Sequence, residues 1–423
     1  MDAVVPPAPA EFSRQCSSLA GKPAGQPARG KPPVVVLTQE CVSKTISVGM
    51  GRGYRQDGTC DGQPQPLGAL TCWGPVVHPP PEAPVTESTR PPGSFGGLQL
   101  ISEEAVAETS VRVAVDALEA ALRAGLDPER ETPRSRVATQ AGELLVMPAT
   151  RGEFTGCKLL TSTPDNARRG LPLIQGAFVL FEGPGQRPAA LIDGTALTNL
   201  RTPAVSALAV RHLLPGAPAA PLRLTVFGTG PQARAHVEAM LALYEISEVA
   251  IVGRDGPRRE RLAARLDGRG VPVRAFDPGS CTEAVTGADV ICCCTSAATP
   301  LFDGALVKGD AVVVAIGSHS PHSREVDDTL VARSRVVVES LASTRLEAGD
   351  IVIPLSAGVV RAEDLYPLRD VVTGRARVPV GGPRLFKGTG MPWQDLVVAV
   401  EIYRTHLAGR SPMRPADPAP GVA

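Results

Sequence analysis

The stretch "LRLTVFGTGPQARAHVEAM", residues 222–240, decides how this chain is read. An apolar run ends in Gly228-Thr229-Gly230, and Pro231 opens a segment with helical spacing. In a strand–turn–helix unit Gly228 permits the tight turn, and Gly230 lets backbone N–H groups approach a pyrophosphate. The small Ala233 lets helix and strand pack closely, the helix N-terminus adds partial positive charge, and Gln232 joins this cofactor-binding set. Such a loop is a weak signal alone and gains weight from repeated strand–helix units downstream. Here "EVAIVG", "VPVRAF", "DVICCCT", "DAVVVAIG" and "RVVVES" alternate with helical segments. That rhythm predicts an α/β fold: a parallel sheet with helices on both faces, a Rossmann-type domain over 206–389.

The end of the second strand selects the cofactor. An acid there serves the ribose 2′-hydroxyl of NAD, whereas its absence and an Arg suit the 2′-phosphate of NADP. In "VAIVGRDGPRRER", Gly253-Arg254 stand at the strand tip and Asp255 comes one place later. Arg254, with Arg258 nearby, predicts NADP(H); a strand end one residue later would bring in Asp255 and NAD. Thr295 and Ser296 come after the "ICCC" strand, where such a loop passes the nicotinamide ribose; the bland reading is a strand-end cap.

Composition narrows the class. A formal charge of zero offers no basic excess for nucleic acid. No stretch approaches the roughly 20 apolar residues of a membrane span, and "MDAVVPPAPAEFSRQ" lacks the pattern of a secretory signal. Cys292, Cys293 and Cys294 are consecutive in an apolar run, which suits a reduced, buried strand. These features together predict a cytoplasmic enzyme. Residues 1–96 hold more than a third of the 42 prolines and no sustained apolar period. They read as a disordered extension, or as sequence upstream of a true start near Val85. Cys16, Cys41, Cys60 and Cys72 there lack zinc-knuckle spacing. Residues 413–423 read as a disordered tail.

Between these parts, "SEEAVAETSVRVAVDALEAALRAG" (102–125) reads as one amphipathic helix. Five short strands come next, spaced as an antiparallel meander. They predict a mixed α/β domain over 97–205, closed by the final helix, 390–412.

Several motifs acting together resemble the ornithine cyclodeaminase / mu-crystallin family across residues 97–410. They are "GELLVMPA", "GCKLLTSTPDN", "AALIDGTALTNLRTPAVSALA", "VFGTGPQARAH", "GSHSPHSREVD", "EAGDI" and "FKGTGMPWQDL". The resemblance implies a homodimer joined through the substrate domains, and an α-amino or α-imino acid whose Cα exchanges a hydride with a nicotinamide. It also implies that Arg134, Lys158 and Arg201 receive the substrate carboxylate. The chemistry agrees, since a guanidinium holds a carboxylate bidentately and a lysine adds a point charge. Arg136 competes with Arg134 for that role, and Lys158 is additionally a catalytic candidate. Lys387 reads as a substrate contact or a helix start.

In the family's cyclodeaminases an Asp stands two residues before the Pro of the "GSHSP" turn; here that position is His319. A His near its ordinary pKa of about 6.5 can carry a proton at neutral pH, so His319 is the second catalytic candidate. His322 reads as solvent-facing, and Glu325 and Asp327 as caps of the next helix. No carboxylate or thiol has ligand spacing to the two histidines, so no metal is expected. The leading expectation is NADP(H)-dependent reduction of a small cyclic imino acid such as Δ1-pyrroline-2-carboxylate. Ornithine or lysine cyclodeamination, alanine-type dehydrogenation and a non-catalytic NADPH-binding protein remain as alternatives.

Overall fold

A computed structural model describes residues 97–409 apart from 215 and 217–219; the expectations for 1–96 and 413–423 lie outside the described residues. Two sheets organise the chain. The first runs β1 (Gln99–Ile101), β2 (Ser135–Thr139), β3 (Gly142–Arg151), β4 (Phe154–Ser162), β5 (Ile174–Glu182) and β6 (Arg187–Asp193). Its order is β1-β6-β5-β4-β3-β2. The meander from β2 to β6 is antiparallel as expected, and β1 adds a parallel edge. Alternation along β4 sends Lys158 and Leu160 inward and leaves Leu159 and Thr161 exposed.

The segment 102–125 is two helices, α1 (Glu103–Ala107) and α2 (Val111–Arg123), instead of the single one expected. Ser110 causes the break: its side chain accepts a hydrogen bond from Val113 N and starts a new helix. Helix α2 then buries Ala114, Val115, Leu118, Ala121 and Leu122, an i, i+4, i+8 stripe. Helix α3 (Gly194–Leu213) begins at Asp193, which caps Thr195 N and Ala196 N. It runs unbroken through positions 205 and 206 and is buried on almost every side.

The second sheet contains β7 (Leu222–Phe227), β8 (Ile246–Val252), β9 (Val273–Phe276), β10 (Val290–Cys293), β11 (Val312–Ala315), β12 (Arg335–Val338), β13 (Tyr366–Pro367) and β14 (Arg384–Lys387). Its order is β13-β12-β14-β11-β10-β7-β8-β9, and every pairing is parallel. Between and after the strands lie α4 (Pro231–Leu243), α5 (Gly256–Leu266), α6 (Thr282–Gly287), α7 (Asp328–Arg333), α8 (Leu341–Glu347), α9 (Gly349–Ser356), α10 (Leu368–Val372) and α11 (Pro392–Gly409). Strands leave β7 in opposite directions, toward β8 and toward β10, so the topological switch point lies between β7 and β10, where such sheets bind ligands.

Adjacent thiols separate as the strand period requires. Cys292 packs into the core shared with α2, α3, α4 and α11, and Cys293 packs into the core on the other face. Both are fully buried and free, and burial pushes the Cys292 thiol up to about 12, which makes it inert. Among the described residues, no helix is long and apolar enough to cross a membrane.

Candidate active site

The glycine loop stands at the switch point. Gly228 has φ +122°, and a Cβ there would lie 2.5 Å from the carbonyl oxygen of Cys294, just past β10. Only glycine fits both the angle and the approach. Gly230 caps α4 without a side-chain hydrogen bond, and a Cβ built on it meets nothing within 4 Å. The first-turn N–H groups of α4 therefore face open space without a side-chain cap, an arrangement that fits a pyrophosphate. Ala233 is fully buried against the sheet. The Gln232 side chain is committed elsewhere: Nε2 donates to Asn199 Oδ1 at 2.9 Å and to the Thr198 carbonyl at 3.4 Å, both on α3.

At the 2′ end, β8 stops at Val252. Arg254 is exposed and forms none of the ion pairs found among the described residues. Asp255 is occupied as the N-cap of α5, accepting from Arg258 N at 2.9 Å. Arg259 turns back to the Gly253 carbonyl and stands 3.5 Å from Asp277.

The three anticipated carboxylate receptors come together from β4, α3 and the loop before β2. Lys158 is 0% exposed, between the cross-strand neighbours Met147 and Phe178. Its Nζ donates to Asp395 Oδ1 at 2.7 Å and to Thr198 Oγ1 at 3.4 Å. Arg201, also buried, donates from Nε to that same Oδ1 at 2.9 Å. Arg134 donates to the carbonyls of Thr389 and Gly390 and pairs with Glu347 at 3.0 Å. Arg136 is exposed and pairs with Glu143, with Glu347 3.9 Å away; of the two arginines Arg134 is the more buried. Gly390 has φ +78°, and a Cβ on it would sit 2.5 Å from Arg201 Nη1, so this glycine makes room for the guanidinium. Burial and the Arg201 charge pull Lys158 down to about 7, with Asp395 opposing. Lys158 therefore exchanges its proton near neutral pH.

The histidine turn differs from expectation in its electrostatics. His319 is exposed, yet the protein around its ring, then the Arg134 and Arg136 charges, hold its pKa below the ordinary value. Both effects favour the uncharged ring. His322 is exposed, and Asp327 caps α7 by accepting from Leu330 N. Glu325 does not cap that helix. It is fully buried and accepts from Thr295 N, Thr295 Oγ1 and Gly317 N at 2.7–2.8 Å, fastening the loops after β10 and β11 to each other. Thr295 is thereby held by a carboxylate, while Ser296 stays exposed. Burial raises the Glu325 carboxyl, and Lys387 opposes the rise. Lys387 is a β14 residue and starts no helix. Buried in the sheet, it donates to the Ser318 carbonyl at 2.6 Å and lies 2.9 Å from Asp350.

Asp395 and Asp350 thus bind the buried cations Lys158, Arg201 and Lys387 in place, and sequence reasoning assigned neither carboxylate a role. The trace in the sequence is slight: "PWQDL" puts Gln and Asp just before an apolar run, Leu396 to Val400, at the start of a helix whose later turns are polar again.

A model of the ornithine cyclodeaminase/mu-crystallin family matches residues 99–410. A Delta(1)-pyrroline-2-carboxylate reductase of Colwellia psychrerythraea is 34% identical over 60% of this chain and 81% of its own length. The ketimine reductase mu-crystallin of Rattus norvegicus is 33% identical over 65% of this chain and 84% of its own. A solved structure of Thermococcus litoralis Delta(1)-pyrroline-2-carboxylate reductase with NADH and L-proline superposes with a TM-score of 0.68. It shares 24% identity and covers 74% of this chain and 98% of the other, a likeness of fold.

Proposed function

The chain belongs to the ornithine cyclodeaminase/mu-crystallin family, and from that premise we propose that it reduces a small cyclic imino acid, of the Δ1-pyrroline-2-carboxylate type, with NADPH. One observation carries the reading: a single turn of α3 touches both halves of the site. Thr198 accepts from Lys158 through Oγ1, while the Thr198 carbonyl and Asn199 accept from Gln232 in the first turn of α4. The cation cluster is therefore held beside the glycine loop, as a carboxylate-bearing substrate beside a dinucleotide requires. When bound, the nicotinamide supplies the hydride. Arg201, Lys158 and Arg134 receive the carboxylate, which fixes the ring and its C=N carbon in one orientation. Lys158, with its pKa near 7, delivers the proton that keeps the ring nitrogen protonated as the hydride arrives. The relatives named for pyrroline-2-carboxylate and ketimine reduction support the same substrate class.

Position 319 favours reduction over cyclodeamination. Expelling ammonia from ornithine calls for a fixed negative group that holds an ammonium or activates water, and a neutral imidazole supplies none. Oxidation of NADPH and NADH is to be followed with a panel of cyclic imino acids, beside ammonia release from ornithine and lysine. We expect brisk imine reduction and little ammonia; efficient ammonia release would establish the cyclodeaminase instead. His319→Ala is expected to cost about 10²-fold or less, the effect of an assisting group, and His319→Asp to gain some ammonia release.

The outer face of the first sheet supports a homodimer. Leu100, Leu191, Val179, Cys157 and Pro148 are cross-strand partners in one row, and Leu159 lies beside it. Leu100 is 71% exposed, and Leu159 and Leu191 are nearly two-fifths exposed. A contiguous apolar row on a sheet face needs a covering surface, and a second copy of the same face supplies a self-complementary one. Light scattering should give a dimer for the wild type and a monomer for Leu159→Lys; a dimer surviving that change would place the interface elsewhere.

A further inference from the structure

We propose that Asp395 is a positioning residue: one of its carboxylate oxygens, shared by Lys158 Nζ and Arg201 Nε, sets the spacing and aim of the two cations that meet the substrate carboxylate. The inference rests on the reading of the site as an imino-acid pocket. Its support is geometric. Both donors converge on Oδ1, at 2.7 and 2.9 Å, so two like charges are held side by side by one intervening anion. Removed from water, they would repel one another apart without it. Asp395 is buried with its Oδ1 taken up by both cations, so it acts on substrate through them. Its second oxygen, Oδ2, has no hydrogen-bond partner among the described residues.

The surrounding backbone fixes the carboxylate. Asp395 lies in the first turn of α11, where the helix dipole favours a negative charge. The neighbouring Gln394 is pinned from both sides: its Nε2 donates to Glu339 at 2.8 Å, and its Oε1 accepts from Met391 N and Arg201 Nη1. Glu339 in turn accepts from Thr389 N and Gly390 N at 2.9 Å, fixing the loop that leads into α11. The charged groups acting on Lys158 are Arg201 from α3, Asp395 from α11 and Arg134 from the loop before β2. Of these, only Asp395 favours the ammonium form, so it also keeps the Lys158 proton available near pH 7.

Asp395→Asn separates charge from shape, because the amide oxygen can still occupy the Oδ1 position while the anion is lost. We expect kcat/KM for the cyclic imino acid to fall about 10²-fold or more, mostly through KM. The KM for NADPH should stay within about twofold. The same variant should move the titration of Lys158, followed by the 13Cε shift of the enzyme alone, to lower pH. The falling alkaline limb of the pH–rate profile should move with it. Asp395→Glu restores the anion on a longer arm, so the Lys158 titration should return toward the wild-type value while KM stays raised. A purely structural Asp395 would lower thermal stability and active fraction without moving either titration, and that result overturns the proposal. The NMR titration needs no turnover, so an enzyme inactive on every cyclic imine would remove the reductase reading while this test of Asp395 stands.

Discussion

Lys158→Met is expected to lower kcat/KM for a cyclic imino acid by about 10³-fold while leaving NADPH binding unchanged. Two losses combine. The substrate carboxylate loses one of its cations in a site closed to water, where removing one member of a buried pair costs about 3–5 kcal/mol. The proton source with a pKa near 7 is lost as well, and general acid help is commonly worth about 10²–10⁴-fold. Methionine fills the aliphatic volume between Met147 and Phe178, so packing is largely kept. Asp395 keeps Arg201 as a partner, which limits the damage to the fold. Arg201→Ala should be similarly severe, since it removes a guanidinium held at 2.9 Å from that same carboxylate. The measurement is steady-state kinetics beside NADPH fluorescence titration. A loss below tenfold in the Lys158 variant would mean that substrate binds elsewhere.

The parts legible in the sequence were those with a period or a spacing. The β7–Gly228–α4 unit was readable because the turn needs particular residues at particular offsets, and the meander because alternation marks a half-buried strand. Lys158 stood out as a charge inside an apolar strand, a position costly without a partner. Its partner was not legible. Asp395 lies 237 residues away in sequence, and nothing local in "PWQDL" tells an inward carboxylate from a solvent-facing one. The same holds for β14, which inserts between β11 and β12 from a position far downstream of both. A four-residue strand entering a parallel sheet out of order leaves no periodic trace, so Lys387 reads from sequence as a substrate contact or a helix start. Glu325 escapes a local reading for a related cause. Acid residues before a helix usually cap it, and only the fold reveals that Gly317 and Thr295 present N–H groups to this one. The Ser110 break in the first helix was readable in principle: a Thr-Ser pair interrupts the apolar stripe, and Ser competes for backbone N–H groups.

The last expected result concerns the cofactor. Wild-type protein should favour NADPH over NADH, and Arg254→Asp should reduce or invert that preference by about 10- to 100-fold. The acid that could serve an NAD ribose is Asp255, and its carboxylate is engaged: it accepts from Arg258 N at 2.9 Å and caps α5. Turning it toward a ribose would uncap the helix, at about 1 kcal/mol. Arg254 sits between the end of β8 and that cap with its guanidinium exposed, available to a phosphate dianion. The floor of this corner is tightly packed, since a Cβ on Gly253 would lie 2.5 Å from Thr229 Cγ2 of the glycine loop. Arg259 contributes less directly, because its Nη1 is held by the Gly253 carbonyl. Losing a charge-assisted hydrogen bond costs roughly 1.5–3 kcal/mol, hence the range, and reversing the charge adds repulsion of the phosphate. The comparison is kcat/KM for the two cofactors at saturating imino acid, in wild type and variant. A wild type that prefers NADH would show that Asp255 leaves its cap to bind the ribose, and Asp255→Ala would then abolish that preference.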